Sequence, residues 1–388
     1  MRVSTVGSAL STLPFTDPQQ EPGWSHVAVP AAAGRPLPGA PRGLAVEVSG
    51  AGRSRSLPAW VHETWSTSLL VVEGGRVVHE WYADGLGPDT RFLGASMSKS
   101  VLAHLVGRAV REGALTPADH VVAHVPDLSG SGYDGTTVAD LLTMTSGVDW
   151  VEDHRDPASP ASRLLACFAG PGDSRALLAS VRQGEAPGTR FAYCTADSQV
   201  LDWVRERATG RAYADDLTRL WRDLGCTHDA AMAVDGAGVA LAGGGLAATA
   251  RDWAKVALLA VAGRSDTGER LLDPDWVAAA ARPAYPFLGV GRLPSSITTH
   301  AGFGYHWWPM DDEGHRVTAD GSRGQLAAVD RRTGSAVVKT SLWPYDDPWA
   351  DRQHRDLSYL GLHALLDAAA TSGTQPEERA DRQKERHP

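Results

Sequence analysis

Ser96-Met97-Ser98-Lys99-Ser100-Val101-Leu102-Ala103-His104-Leu105-Val106 is the stretch whose reading decides the fold. The apolar positions Val101, Leu102, Leu105, Val106, Ala109 and Val110 recur with the helical period and predict a helix beginning near Ser96. Residues at i and i+3 share a helix face, so Ser96 and Lys99 sit one above the other. The lysine stands out because the chain has only Lys99, Lys255, Lys339 and Lys384 against more than thirty arginines. An arginine is effectively never deprotonated, whereas a lysine can serve as a base. The positive end of a helix dipole and partial burial both disfavour an ammonium, which is what an activated serine nucleophile requires. Alone, the pair is weak: serine at a helix start is ordinarily an N-cap, and roughly one such chain in three carries Ser-x-x-Lys by chance.

The 388 residues suffice for a large core and suggest two domains or one two-part unit. A net charge of -9 with both signs scattered gives no basic stripe, which argues against nucleic-acid binding. Cys167, Cys194 and Cys226 are odd in number, widely spaced and match no zinc or redox spacing, as expected of reduced intracellular thiols. Met1–Phe15 has one arginine and no continuous apolar stretch, a poor signal peptide. No run approaches the roughly 18 apolar residues of a membrane span, so a cytoplasmic protein without membrane partners is the expectation.

Residues 1–60, rich in Pro, Gly and Ala, predict an extended N-terminal arm lying on the core. Leu69–Tyr82 has two β-rich runs split by Gly74-Gly75, a hairpin signal. Positions 96–241 read as mostly helical, with loops at Leu128–Gly135, Gly147–Ser159 and Gly170–Asp173. A helix over Thr249–Ala262 follows Gly243-Gly244-Gly245. Short strands are expected at Gly302–Trp308, Gln325–Val329 and Ala336–Leu342, and an amphipathic helix near Asp356–Ala369. These elements predict an α+β fold in which 61–110 and 241–370 build one antiparallel sheet flanked by helices. A mostly helical domain, 111–240, is inserted, and 371–388 form a disordered tail. A site belongs in the cleft between the two parts.

Two further stretches carry chemistry. Tyr193 follows the Pro187-Gly188 loop, and a phenol near an ammonium can relay a proton; an isolated tyrosine is more often a core aromatic with a satisfied hydroxyl. Asp320-Gly321-Ser322-Arg323-Gly324-Gln325 has glycines that let backbone N–H groups approach an oxyanion, although such a turn alone more often marks a hairpin.

Ser96-x-x-Lys99, Pro-Gly-Thr-x-Phe-x-Tyr193, Gly-Gly-x-x-x-Thr-Ala-Arg-Asp over 244–252 and a late Gly-x-x-Gly-Gln strand occur here in that order. The order resembles the serine β-lactamase and penicillin-binding-protein superfamily, nearest its class C and esterase branch. Within that branch the chain is most similar to the 6-aminohexanoate-dimer (nylon-oligomer) hydrolases. Shared phrases are Leu142–Gly147, Glu152-Asp153 with Asp156–Ser159, Phe191–Cys194 and Tyr305–Trp308, and the likeness runs from about 60 to 370.

The resemblance implies a β-lactamase/transpeptidase-like fold. It makes Ser96 the nucleophile, Lys99 its base and Tyr193 the proton shuttle to the leaving group, with Lys99 and Tyr193 titrating as a coupled pair. The oxyanion hole comes from the N–H of Ser96 and one near Gln325. Arg323 and Gly324 fall where a Lys-Thr-Gly or His-x-Gly motif often anchors a substrate carboxylate, and His154 falls on a loop that borders the cleft.

Three departures stand out. Thr195 replaces a common Asn, Arg323-Gly324-Gln325 replaces the late Lys or His motif, and Gly243 replaces the Asn of an Asn-Gly-Gly phrase. The second argues against efficient β-lactamase activity. Trp307 and Trp308 alternate on a predicted strand, which puts one in the core and one in the pocket, with Trp307 as the pocket residue. His120 and His124, spaced i, i+4, lack a third ligand, so no metal is expected, and no cofactor motif is present. No glutamate in a recognisable deacylation loop is evident, so Tyr193 and Lys99 are expected to serve both half-reactions. The expected function is a cofactor-free serine hydrolase acting through an acyl-enzyme on small esters and short linear amides. An acyltransferase on the same groups is the alternative, ahead of a β-lactamase or D,D-peptidase and of a decayed binding protein, with a homodimer left open.

Overall fold

A computed structural model describes residues 24–285, 302–344 and 352–373, less positions 40, 42 and 51. The first 23 positions of the expected arm and positions 374–388 of the expected tail lie outside the described residues.

The strands are β1 (Ser25–Val29), β2 (Glu47–Gly50), β3 (Arg53–Ser56), β4 (Ser66–Glu73), β5 (Arg76–Tyr82), β6 (Arg91–Leu93), β7 (Ala230–Val234), β8 (Leu246–Thr249), β9 (Trp308–Pro309), β10 (Arg316–Gly321), β11 (Gln325–Asp330) and β12 (Ser335–Ser341). The helices are α1 (Leu57–Glu63), α2 (Met97–Arg111), α3 (Val121–His124), α4 (Val138–Thr143), α5 (Pro160–Phe168), α6 (Ser174–Ala179), α7 (Thr195–Thr209), α8 (Tyr213–Asp223), α9 (Ala250–Ala262), α10 (Pro274–Ala280) and α11 (Arg352–Gly373).

The central sheet has the order β5-β4-β12-β11-β10-β9, so an N-terminal hairpin completes a C-terminal meander. Its paired strands are all antiparallel, and the fold is α+β, as expected. Gly74 and Gly75, both at positive φ, close the β4–β5 hairpin, the backbone that a two-residue hairpin turn requires. Along β4 the period-2 alternation sends Leu69 and Val71 to a core with α1 and α11, and Leu70 and Val72 to a larger core with α2 and α9. Burial on both faces explains why β4 reads as a continuous apolar run.

Three features depart from the sequence reading. A second, four-stranded sheet, β1-β7-β8-β6, ties residues of the N-terminal arm to the segment after α8. Its strands β7 (Ala-Ala-Met-Ala-Val) and β8 (Leu-Ala-Ala-Thr) are alanine-rich and buried throughout. Alanine is a helix former, and cross-strand pairing overrides that preference. Strand β10 had no clear signal. The expected strand over Gly302–Trp308 shrinks to Trp308–Pro309, because His306 has φ +56°. His306 is instead spent on bracing: Ser100 Oγ donates to its carbonyl at 2.6 Å, and its ring nitrogens face the carbonyls of Lys99 and Leu141 at 3.1 and 3.3 Å.

Helix α11 seals the second core through Trp60, whose indole Nε1 donates to Leu357 O at 2.7 Å. The ring lies across Gly361, where an added Cβ would come within 2.1 Å of it. Gly361→Ala gains about 1 kcal/mol of helix propensity but forces overpacking that costs about 1–3 kcal/mol. The expected outcome is net destabilisation, measured as a lower urea midpoint with unchanged slope.

Candidate active site

Strand β6 runs into α2 through Gly94-Ala95-Ser96. Ala95 has φ +45°, which turns the chain sharply and presents Ser96 at the N-cap of α2. A Cβ on Gly321 would lie 2.1 Å from Gly94 O. That close approach brings the turn after β10 against the turn that carries Ser96, and Ser322 lines one small cavity with Ser96, Lys99, Thr195 and His154. Leu165 and Leu241 supply its apolar wall.

Lys99 is buried, with Nζ 3.0 Å from Ser96 Oγ, 3.1 Å from Thr195 Oγ1 and 2.7 Å from Gly243 O. Thr195 begins α7, and Gly243 sits before β8, so three separate parts of the chain converge on one amine. The Ser96 N–H has no hydrogen-bond partner among the described residues and lies at the positive end of α2.

Tyr193 stacks on Trp308 with centroids 6.0 Å apart and meets Phe303 edge-on. Its ring lies 5.1 Å from Lys99 Nζ. The contact is thus amine against ring face, a cation–π geometry, where the sequence reading expects a hydroxyl beside an amine.

Glu152 is the residue the sequence reading missed. Its two oxygens collect four donors: the Thr195 hydroxyl and His154 Nε2 (3.2 Å) on Oε1, and the Thr195 N–H (3.0 Å) and Trp150 Nε1 (2.6 Å) on Oε2. Burial pushes its pKa up, but His154, the Lys99 ammonium and the Thr195 N–H outweigh that and hold it at about 2. The phrase Glu152-Asp153 was visible in the sequence, but no linear spacing links position 152 to 99 or 195.

Of the residues expected in the site, Ser96, Lys99 and His154 line the cavity and Tyr193 adjoins it. Trp307 does not. It is buried behind α2, 5.6 Å from the His104 ring, and Trp308 is the tryptophan beside Tyr193; the left-handed His306 resets the alternation on which the expectation rested. Gln325 is interior too, its side-chain amide bonded to Ser341 O at 2.7 Å and to Ser322 O at 3.2 Å. Gly324, at φ +86°, packs where a Cβ would strike the Trp343 ring, and Arg323 Nε donates to Trp343 O at 3.0 Å. These contacts make the Arg323-Gly324 pair part of the turn's anchorage on Trp343. A separate cavity of about 760 Å³, lined by Trp65, Trp81, Leu57 and His79, includes none of Ser96, Lys99 and Tyr193.

Behind Tyr193, Asp197 is fully buried and accepts hydrogen bonds from Ser146 Oγ at 2.7 Å and Tyr133 OH at 3.2 Å. Burial raises its pKa to about 7 against these donors. A raised carboxyl stabilises the fold while protonated, fully below about pH 4 and progressively less as pH rises through about 7. Wild type therefore loses on the order of 2–3 kcal/mol of stability between pH 5 and 8 from this group. Asp197→Asn, which keeps the acceptor, flattens that slope in urea unfolding repeated across the range.

The Beta-lactamase family profile matches residues 61–360, and the chain belongs to that family. It is a β-lactamase-family hydrolase similar to the 6-aminohexanoate-dimer hydrolase of Paenarthrobacter ureafaciens, with 36% identity over 299 residues, 74% of this chain and 75% of that one. Among solved structures, a Bacillus anthracis protein provisionally assigned as a 6-aminohexanoate-dimer hydrolase superposes with TM-score 0.76 at 19% identity, covering 95% of both chains. EstCE1, a hydrolase with promiscuous acyltransferase activity, superposes with TM-score 0.59 at 18% identity over 81% of this chain and 98% of that one. These two likenesses show the fold. No helix among the described residues is long and apolar enough to cross a membrane.

Proposed function

We propose that the protein is a serine hydrolase that acts through an acyl-enzyme on small carboxylic esters and short linear amides. The observation that carries this is Lys99 Nζ within 3.0 Å of Ser96 Oγ at the edge of a cavity. As a neutral amine Lys99 takes the Ser96 proton, and Oγ attacks the substrate carbonyl. The tetrahedral oxyanion is received by the Ser96 N–H at the start of α2 and by backbone of the adjoining turn. Ser322, which lines the cavity, replaces Gln325 as the reference point for that second donor. Collapse expels the alcohol or amine, with the proton returned from the Lys99 ammonium. Water then enters by the same route in reverse and releases the acid.

The small cavity and its leucine wall favour compact acyl groups. The contact of Arg323 with Trp343 O weakens the case for a carboxylate anchor and hence for β-lactam turnover. An alcohol in place of water would give acyl transfer from the same intermediate, a reading supported by the fold shared with EstCE1.

With p-nitrophenyl acetate the account predicts a burst of nitrophenol and a protein heavier by one acetyl group, both absent in Ser96→Ala. Equal turnover by Ser96→Ala, or no adduct in wild type, would contradict it. Added alcohol should divert product from acetate to acetyl ester if acyl transfer competes.

A further inference from the structure

We infer that Glu152 is a positioning residue for this reaction: acting through the Thr195 hydroxyl, it aims the lone pair of Lys99 at Ser96. The inference rests on the hydrolase reading above and goes beyond it, since neither Glu152 nor Thr195 has a role there.

The argument is one of donors and acceptors. An ionised carboxylate only accepts, and about four lone-pair sites are available on it; Glu152 fills them with two N–H groups of the backbone and Trp150, one ring nitrogen of His154 and the Thr195 hydroxyl. The single hydroxyl hydrogen of Thr195 is therefore committed to Glu152. Thr195 Oγ1 can then only accept from Lys99 Nζ, 3.1 Å away. Gly243 O, at 2.7 Å, can only accept as well. A neutral amine has two N–H groups and one lone pair. With both N–H groups taken by Thr195 and Gly243, the lone pair is left for the third neighbour, Ser96 Oγ, at 3.0 Å. Without the carboxylate, Thr195 can turn its hydrogen toward Lys99 and compete for the lone pair.

The chain also carries charge. The Lys99 ammonium is among the groups that hold the Glu152 carboxyl below its usual range, and a carboxylate near an ammonium favours the charged form. The titratable groups that face this pair are Tyr193 and His306 around Lys99, and His154, Cys194 and Asp197 around Glu152. Of these, His306 is held neutral by burial, which lowers its pKa to about 4. Among the described residues, only Glu152 joins a carboxylate to the Thr195 hydroxyl.

The test is the pH profile of kcat and kcat/KM for ester hydrolysis in Glu152→Gln, Thr195→Val and Thr195→Ser. Glu152→Gln should lower kcat about ten-fold or more, a fraction of what general acid–base catalysis commonly supplies, and move the acid limb to lower pH. Thr195→Val keeps the charge, so its plateau should fall while its acid limb stays near that of wild type. Thr195→Ser keeps the hydroxyl and should restore the rate. Glu152→Gln combined with Thr195→Val should be no slower than Thr195→Val alone, because the two act as one unit.

The acetyl adduct of wild type, followed by mass, separates the two levels of the account. If wild type acylates on Ser96 while Glu152→Gln keeps both rate and profile, or if the two substitutions multiply, the positioning role is overturned and the hydrolase reading stands. If wild type forms no adduct, the hydrolase reading falls, and the role falls with it. Should Glu152→Gln fail to fold, the contrast between Thr195→Val and Thr195→Ser still decides: equal rates in the two would overturn the role.

Discussion

One amine organises this site. Lys99 Nζ is buried and surrounded by three oxygens drawn from α2, α7 and the loop before β8. A buried cation without partners costs several kcal/mol, so these acceptors are a condition of the fold as much as of the chemistry. The same three contacts define where a proton can go. Gly243 contributes by its carbonyl and by lacking a side chain, since a Cβ there would stand 3.5 Å from Nζ and 3.1 Å from Thr195 Cγ2.

Backbone strain gathers around that amine. Ala95, Met144, His306 and Arg323 are all non-glycine residues at positive φ, a conformation that costs of order 1 kcal/mol or more each and persists only where packing over-determines it. Ala95 precedes Ser96, Met144 and His306 brace the segment that carries Tyr193 and Trp308, and Arg323 shapes the turn that delivers Ser322. Each is held by a specific contact: Gly321 against Gly94, Ser100 on His306 O, Ala192 N on Met144 O at 3.0 Å, and Trp343 on the 322–324 turn. The rigid sheet behind α2 and α9 supplies the support.

The parts that were legible in the sequence are those whose signal is local. The β4–β5 hairpin, α2, α9 and α11 announce themselves by period and by Gly-Gly punctuation, and Ser96 and Lys99 by spacing on one helix. What stayed hidden depends on distant pairing. The alanine-rich β7 and β8 become strands because β1 and β6 flank them. Trp307 and Trp308 exchange their expected places because one residue, His306, leaves the extended region. Glu152 enters the site only when the 144–159 loop folds against the N-terminus of α7. A glutamate one residue from an aspartate carries no mark of which of the two will be buried.

The central claim is that Ser96 is the nucleophile and that Lys99 activates it. Peptide mapping after exposure to a fluorophosphonate probe tests this most directly, with Lys99→Ala treated in parallel. The account predicts a single adduct on Ser96 in wild type and little or none in Lys99→Ala. An adduct on another residue, or labelling of Ser96 that is indifferent to the loss of Lys99, would contradict it.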